Sequence, residues 1–183
     1  MIKPITVFIS YAHEDELYLG ELEKFLKPYM RNRNINVFTD KIITAGEHWN
    51  KWILDKLNAS EIVLFLVSQD FLASDYINNT EVKQAIENKR LIIIPIIIRP
   101  IDISQFPLNY FQVLPRDARA ISKWEDKDEA WTEVIRSLKR VFDRINGEDP
   151  DSSTGMNNVA MGNGRLKLVQ RVNNTDKLVV GLI

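Results

Sequence analysis

The sequence predicts an α/β fold: an open parallel five-stranded sheet with helices on both faces. Two observations predict it. Short apolar segments of strand length alternate with amphipathic helical segments along the chain. The runs "EIVLFLVS" (Glu61 to Ser68) and "LIIIPIII" (Leu91 to Ile98) show no polar alternation, as strands covered on both faces require.

Taken in order, "ITVFISY" (Ile5 to Tyr11) is short, β-branched and aromatic, and reads as a buried first strand. "HEDELYLGELEKFLKPYM" follows as a helix, with Leu17, Leu22, Phe25 and Leu26 at helical spacing and acids filling its first turn. "NINVFTD" (Asn34 to Asp40) is the second strand. "KIITAGEH" is a loop in which Gly46 supplies backbone freedom, and "WNKWILDKLNAS" is a short helix with Trp49, Trp52, Ile53 and Leu57 on one side. "EIVLFLVS" is the third strand, and "FLASDYINNTEVKQAI" runs from a polar turn into the third helix. "LIIIPIII" is the fourth strand. Its Pro95 lacks a ladder donor, so an edge position or a bulge is expected there. "RPIDISQFPLNYFQVLP" is irregular, "ARAIS" (Ala118 to Ser122) is the expected fifth strand, and "KDEAWTEVIRSLKRVFDRI" is an amphipathic helix through Trp131, Ile135, Leu138, Val141 and Phe142.

The 183 residues accommodate one domain of about 150 residues and an appendage. The expected division is a domain over 1–146, a polar linker over 147–158 and a short hairpin-like extension over 159–183. A lone hairpin is marginal in water, so the extension is expected to dock or to pair. With 45% hydrophobic and 27% charged residues, the composition is globular rather than disordered. The net charge of −1 argues against a broad nucleic-acid or acidic-membrane surface. The chain has no cysteine, which excludes disulfides, thiol catalysis and cysteine-bound metal within it. "MIKPITVFISYAHEDE" does not read as a signal peptide, and no run is long enough to span a membrane, so a cytoplasmic protein is expected. The two histidines, His13 and His48, have no ligand-spaced companions. No Gly-rich phosphate loop is present, which disfavours a redox dinucleotide domain or an NTPase. A receiver domain is disfavoured too, because the acids of "FISYAHEDE" fall in the helix start rather than at the strand tip.

Open parallel sheets bind ligands beyond the carboxyl ends of their strands. That rule selects "SYAHED", "DKIITAGEHW" and "SQDFLASDYINNTE". These segments, with "VFISYAHED", "VFTDKIITAGEHW", "VLFLVSQDFLASDYINNTEVKQAI" and "LPRDARAISKWEDKDEAW" in family order, resemble the bacterial type of Toll/interleukin-1 receptor (TIR) domain over about residues 1–146. The resemblance implies a flavodoxin-like fold and one of two roles. Some members are scaffolds that act by TIR–TIR association. Others cleave the nicotinamide–ribose bond of NAD⁺ to nicotinamide and ADP-ribose or a cyclised relative, activated by assembly and used in bacterial (antiphage) defence.

The resemblance implies that cleaving members use a glutamate on the third helix, and Glu81 matches that position. The chemistry needs such a group, because the departing nicotinamide is neutral and the ribose left behind is oxocarbenium-like. Taken alone, Glu81 also reads as a solvated residue near a helix N-terminus. By the resemblance, Ser10 and Tyr11 lie at the substrate end of the first strand, where a hydroxyl and an aromatic face suit a ribose or phosphate and a base. Tyr11 serves equally as a packed strand-end aromatic. Phe38 and Asp40 fall beside the same cleft, with a core role for Phe38 and a loop cap for Asp40 as the alternatives. Ser74 is expected beside the substrate as well, with a cap of the third helix by Ser74 or Asp75 as the alternative. Tyr76 is the candidate to stack on nicotinamide, since Ile77 stands where active members often carry tryptophan. The implied partners are NAD⁺ as substrate and other TIR domains, or further copies of this chain, through the Asp40–Trp49 loop. No cofactor, metal, nucleic acid or membrane is implied.

Overall fold

The computed structural model describes residues 3–32, 34–39, 55–74, 91–102 and 113–147. Four strands, β1 (Ile5–Ser10), β2 (Ile35–Thr39), β3 (Ile62–Val67) and β4 (Ile92–Ile97), form one parallel sheet in the order β2-β1-β3-β4. That order is the flavodoxin-like one. The register runs Ile5 to Ile35, Val7 to Ile62 and Ser10 to Phe65, and then Ile62 to Ile92 through Val67 to Ile97. Among the described residues the α-helices are α1 (Glu16–Arg31), α2 (Gln69–Ala73) and α3 (Lys127–Ile145), with a further helical turn at 55–59.

Alternation along the strands separates two cores, as the two-residue period of a strand dictates. On one face Ile5, Val7 and Ile9, Ile62, Leu64 and Leu66, and Ile94 and Ile96 pack under Leu19, Leu22 and Leu26 of α1 and Trp131, Val134, Leu138 and Phe142 of α3. On the other face Phe8, Val63, Phe65, Val67, Ile93 and Ile97 pack with Leu57 and Phe71. Every residue of β3 is buried, which explains its uninterrupted apolar run. Leu17 is a correction. It is 68% exposed, and Leu19 takes its place in the core. Leu19, Leu22 and Leu26 follow the helical period, whereas Leu17 stands five residues before Leu22 and turns outward.

Pro95 sits within β4 opposite Phe65, and β4 is the last strand of the four. Its carbonyl accepts the Leu114 N–H at 2.8 Å, on the side away from β3. In a parallel ladder one residue's N–H and C=O point the same way, so the missing proline donor falls on that outer side and the β3–β4 pairing is intact. Ala118 to Ser122 is not a strand. Asp117 and Ala118 have φ of 60° and 53°, and Ile121–Lys123 forms a single 3-10 turn. The residue that pairs with the outer side of β4 is Leu114, in an isolated parallel bridge with Ile96. Ser122 N–H bonds to Ile98 O at 3.0 Å, and Ala120 and Ile121 are buried in the two different cores. The left-handed pair at 117–118 bends the chain after Leu114, and the segment coils instead of extending along β4.

Among the described residues no helix is long and apolar enough to cross a membrane. The 148–183 portion, with the linker and the hairpin-like extension, lies outside the described residues.

Candidate functional site

The carboxyl rim of the sheet is formed where β1 ends at Ser10, β2 at Thr39, β3 at Val67 and β4 at Ile97. The chain goes from β1 to one side for β2 and to the other for β3. The rim between β1 and β3 is therefore the point at which the winding reverses, where open α/β sheets receive ligands.

The loops leaving three strands meet there around one buried carboxylate. After β1, the 3-10 turn His13–Asp15 closes with Asp15 N–H on Ala12 O at 2.8 Å and turns the Asp15 side chain inward, where it is 0% exposed. Ser68, the first residue after β3, is buried as well; its hydroxyl donates to Asp15 Oδ2 at 2.5 Å. The Ser68 hydroxyl oxygen itself accepts the Phe71 N–H at 3.1 Å and so caps α2. From β4, Arg99 brings Nη2 to 2.7 Å from Asp15 Oδ1 and also pairs with Asp70. The contact on Oδ1 is an ion pair without hydrogen-bond geometry, which leaves Oδ1 and Arg99 Nε buried without a hydrogen bond. Burial pushes the Asp15 carboxyl above its ordinary value, against the opposing pull of the Ser68 hydroxyl and the Arg99 guanidinium. Arg99 is held above its ordinary value chiefly by its hydrogen bond to Asp70.

At the end of α2, the Ser74 hydroxyl donates to Phe71 O at 2.7 Å, and the Ser74 N–H reaches the same oxygen at 3.3 Å. Phe71 anchors the helix from below, its ring 5.5 Å from that of Phe65. The short helix is thus held at its start by a capped N–H, in its middle by an aromatic, and at its end by a serine.

Of the residues expected at a site, Ser10 is buried at the tip of β1, opposite Phe65. Tyr11 is half-buried and packs against the α1–α3 core, the strand-end role that its position equally allowed. Phe38 is half-buried against the second core, with Lys56 Nζ 4.5 Å from its ring centre. Ser74 closes α2, and the helix that it or Asp75 was expected to cap lies outside the described residues. Glu81, Asp40 and Tyr76 lie outside the described residues. Sequence reasoning passed over Asp15, Ser68, Asp70 and Arg99. Asp15 looked like one more acid in a helix start; the one local signal was Ser68, a serine directly before a helical stretch. Among the described residues no three His, Asp or Glu side chains gather to hold a metal ion.

Comparison with known proteins bears on this rim. The family described as TIR domain matches residues 7–137. An uncharacterised protein, y4lF, of Sinorhizobium fredii is 38% identical over 143 residues, covering 76% of this chain and 44% of that protein. Protein PHLOEM PROTEIN 2-LIKE A5 of Arabidopsis thaliana is 28% identical over 155 residues, covering 80% of this chain and 36% of that one. The chain thus spans less than half the length of these curated relatives. Among solved structures, the TIR domain of the Toll-related receptor TRR-2 from Hydra magnipapillata aligns with a TM-score of 0.47 and 23% identity, over 73% of this chain and 97% of that one. With the matched span covering most of its sheet and helices, the chain belongs to the TIR domain family.

Proposed function

We propose that this TIR domain cleaves the bond between nicotinamide and ribose in NAD⁺, with Glu81 as the acting carboxylate. One observation carries the reading furthest. Ser10 closes β1 and Ser68 follows β3 on neighbouring strands, at the rim where the strand order reverses, and α2, which starts there, precedes the stretch of sequence that contains Glu81. Membership of a family with NAD⁺-cleaving members supports it.

In the reaction the C1′–N bond breaks and its electron pair goes to the pyridinium nitrogen. Nicotinamide leaves neutral, so no general acid is needed. The positive charge remains on the ribose, shared by C1′ and the ring oxygen. A carboxylate beside the ribose stabilises that charge as it develops, which is the contribution assigned to Glu81. Water adding at C1′ and losing a proton gives ADP-ribose; an internal nucleophile gives a cyclised relative. Activation by assembly, through the loop at 40–49, and use in bacterial defence complete the proposal.

The test is nicotinamide release from NAD⁺ by concentrated protein, followed chromatographically, alongside Glu81→Ala and Glu81→Gln. Release by the unaltered chain and by neither variant is expected. Silence in an assembled sample overturns the reading and leaves a module that acts by TIR–TIR association alone.

A further inference from the structure

We infer that Asp15 and Ser68 form a positioning link across the β1–β3 rim that sets α2, and with it the start of the stretch bearing Glu81, for turnover of NAD⁺. The inference rests on the proposed hydrolase activity and assigns two residues to it that the sequence did not single out.

The argument begins with the single proton of a hydroxyl. Ser68 has one proton to donate, and the buried Asp15 carboxylate takes it at 2.5 Å. With that proton committed, the hydroxyl rotor is fixed, and its lone pair points at the Phe71 N–H 3.1 Å away. Phe71 passes the constraint on, because its carbonyl receives both the hydroxyl and the N–H of Ser74. A chain of hydrogen bonds therefore runs from the loop after β1 to Ser74, the residue that closes α2. Asp15 is held in turn by the Arg99 guanidinium, which bridges it to Asp70 in the first turn of α2. Arg99 thereby ties α2 to the end of β4, and three strand ends are fixed relative to one another.

Such a link is too strong a feature for a helix cap alone. Serine caps short helices without any buried partner, whereas a fully buried carboxylate is a costly group to retain. Its placement gives it a use. Catalysis by a lone carboxylate depends on geometry, and misplacement of about 1 Å can lower a rate by about 100-fold. Asp15 and Ser68 are fully buried and bonded to each other, so they act through position and not through contact with substrate.

The test compares unaltered protein with Ser68→Ala, which removes the hydroxyl, and Ser68→Thr, which keeps it, all at temperatures well below their melting transitions. The kcat and KM for NAD⁺ are measured together with amide exchange at Phe71. Ser68→Ala is expected to lower kcat by roughly tenfold or more with KM changed little, and to speed exchange at Phe71. Ser68→Thr is expected to restore both in large part. A Ser68→Ala protein whose kcat stays within about twofold of the unaltered chain overturns the positioning role while leaving the hydrolase reading intact. Unchanged exchange at Phe71 overturns the link itself. Absence of nicotinamide from the unaltered chain defeats the hydrolase reading and, with it, the role assigned here.

Discussion

Trp131 Nε1 donates to Glu21 Oε2 at 2.9 Å and so joins α3 to α1 over a sequence separation of 110 residues. The indole is buried in the α1–α3 core, while its one polar atom reaches the helix opposite. Lys127 approaches the same carboxylate, with Nζ 3.7 Å from Oε1, and lies over the Tyr18 ring. Replacing Trp131 by Ala is expected to destabilise the domain by about 3–5 kcal/mol, chiefly through the cavity. Trp131→Phe keeps a ring in place and loses the N–H, at a cost for that bond of about 1 kcal/mol. Urea midpoints of the two variants measure both, and the Ala variant should lie well below the Phe one.

Asp126 caps α3. Its Oδ1 accepts the N–H of Asp128 at 2.7 Å and of Glu129 at 3.4 Å. Asp126→Ala should lower stability by about 1 kcal/mol, and Asp126→Asn should recover most of it, because either side chain presents the oxygen that the free N–H groups need. Thermal unfolding of the pair against the unaltered chain decides this.

Arg99 stands between two carboxylates of different burial. The Asp70 side chain is 41% exposed and that of Arg99 35%, so water screens this pair; Asp15 is fully buried. Asp70→Ala is therefore expected to cost no more than about 1 kcal/mol. Asp15→Ala removes one member of a buried pair and also strands the Ser68 proton, with a loss on the order of 3 kcal/mol. Equal effects in denaturant unfolding contradict the burial difference on which the expectation rests.

Local pattern disclosed the layers of this fold, and long-range contact hid the polar link. "EIVLFLVS" announces a strand covered on both faces because every position of β3 meets a core. Pro95 announces an edge because only an outer side tolerates a missing donor. The last helix was legible for the same reason, its apolar stripe being long and periodic. Leu17 misled because an apolar residue two places before Leu19 looks like part of the stripe until the face is known. "ARAIS" misled because its alternation suits a strand, and nothing in it reveals the left-handed pair at 117–118. Asp15 was illegible as a buried residue. Its partner Ser68 is 53 residues away, and only the pairing of β1 with β3 brings the two together.

The raised pKa of Asp15 has a consequence for stability against pH. Its folded-state value lies above the ordinary value of 3.8, with burial as the first cause. Between the unfolded and folded values the folded chain holds a proton on Asp15 that the unfolded chain has released. Stability changes with pH in proportion to the protons bound by the unfolded chain minus those bound by the folded one, and here that difference is negative. The Asp15 contribution therefore falls as pH rises from 3.8 through the higher folded value, and levels off above it. The groups facing Asp15 act on the size of the fall: the Ser68 hydroxyl and Arg99 reduce it, and the Asp70 charge increases it. Asp15→Asn, which cannot ionise, should abolish this component. Urea unfolding from about pH 4 to 7 is expected to show that, over the lower part of this range, the unaltered chain loses stability relative to Asp15→Asn as pH rises. A gap that moves the other way means that the carboxylate is held below its ordinary value, with the ion pair to Arg99 outweighing burial.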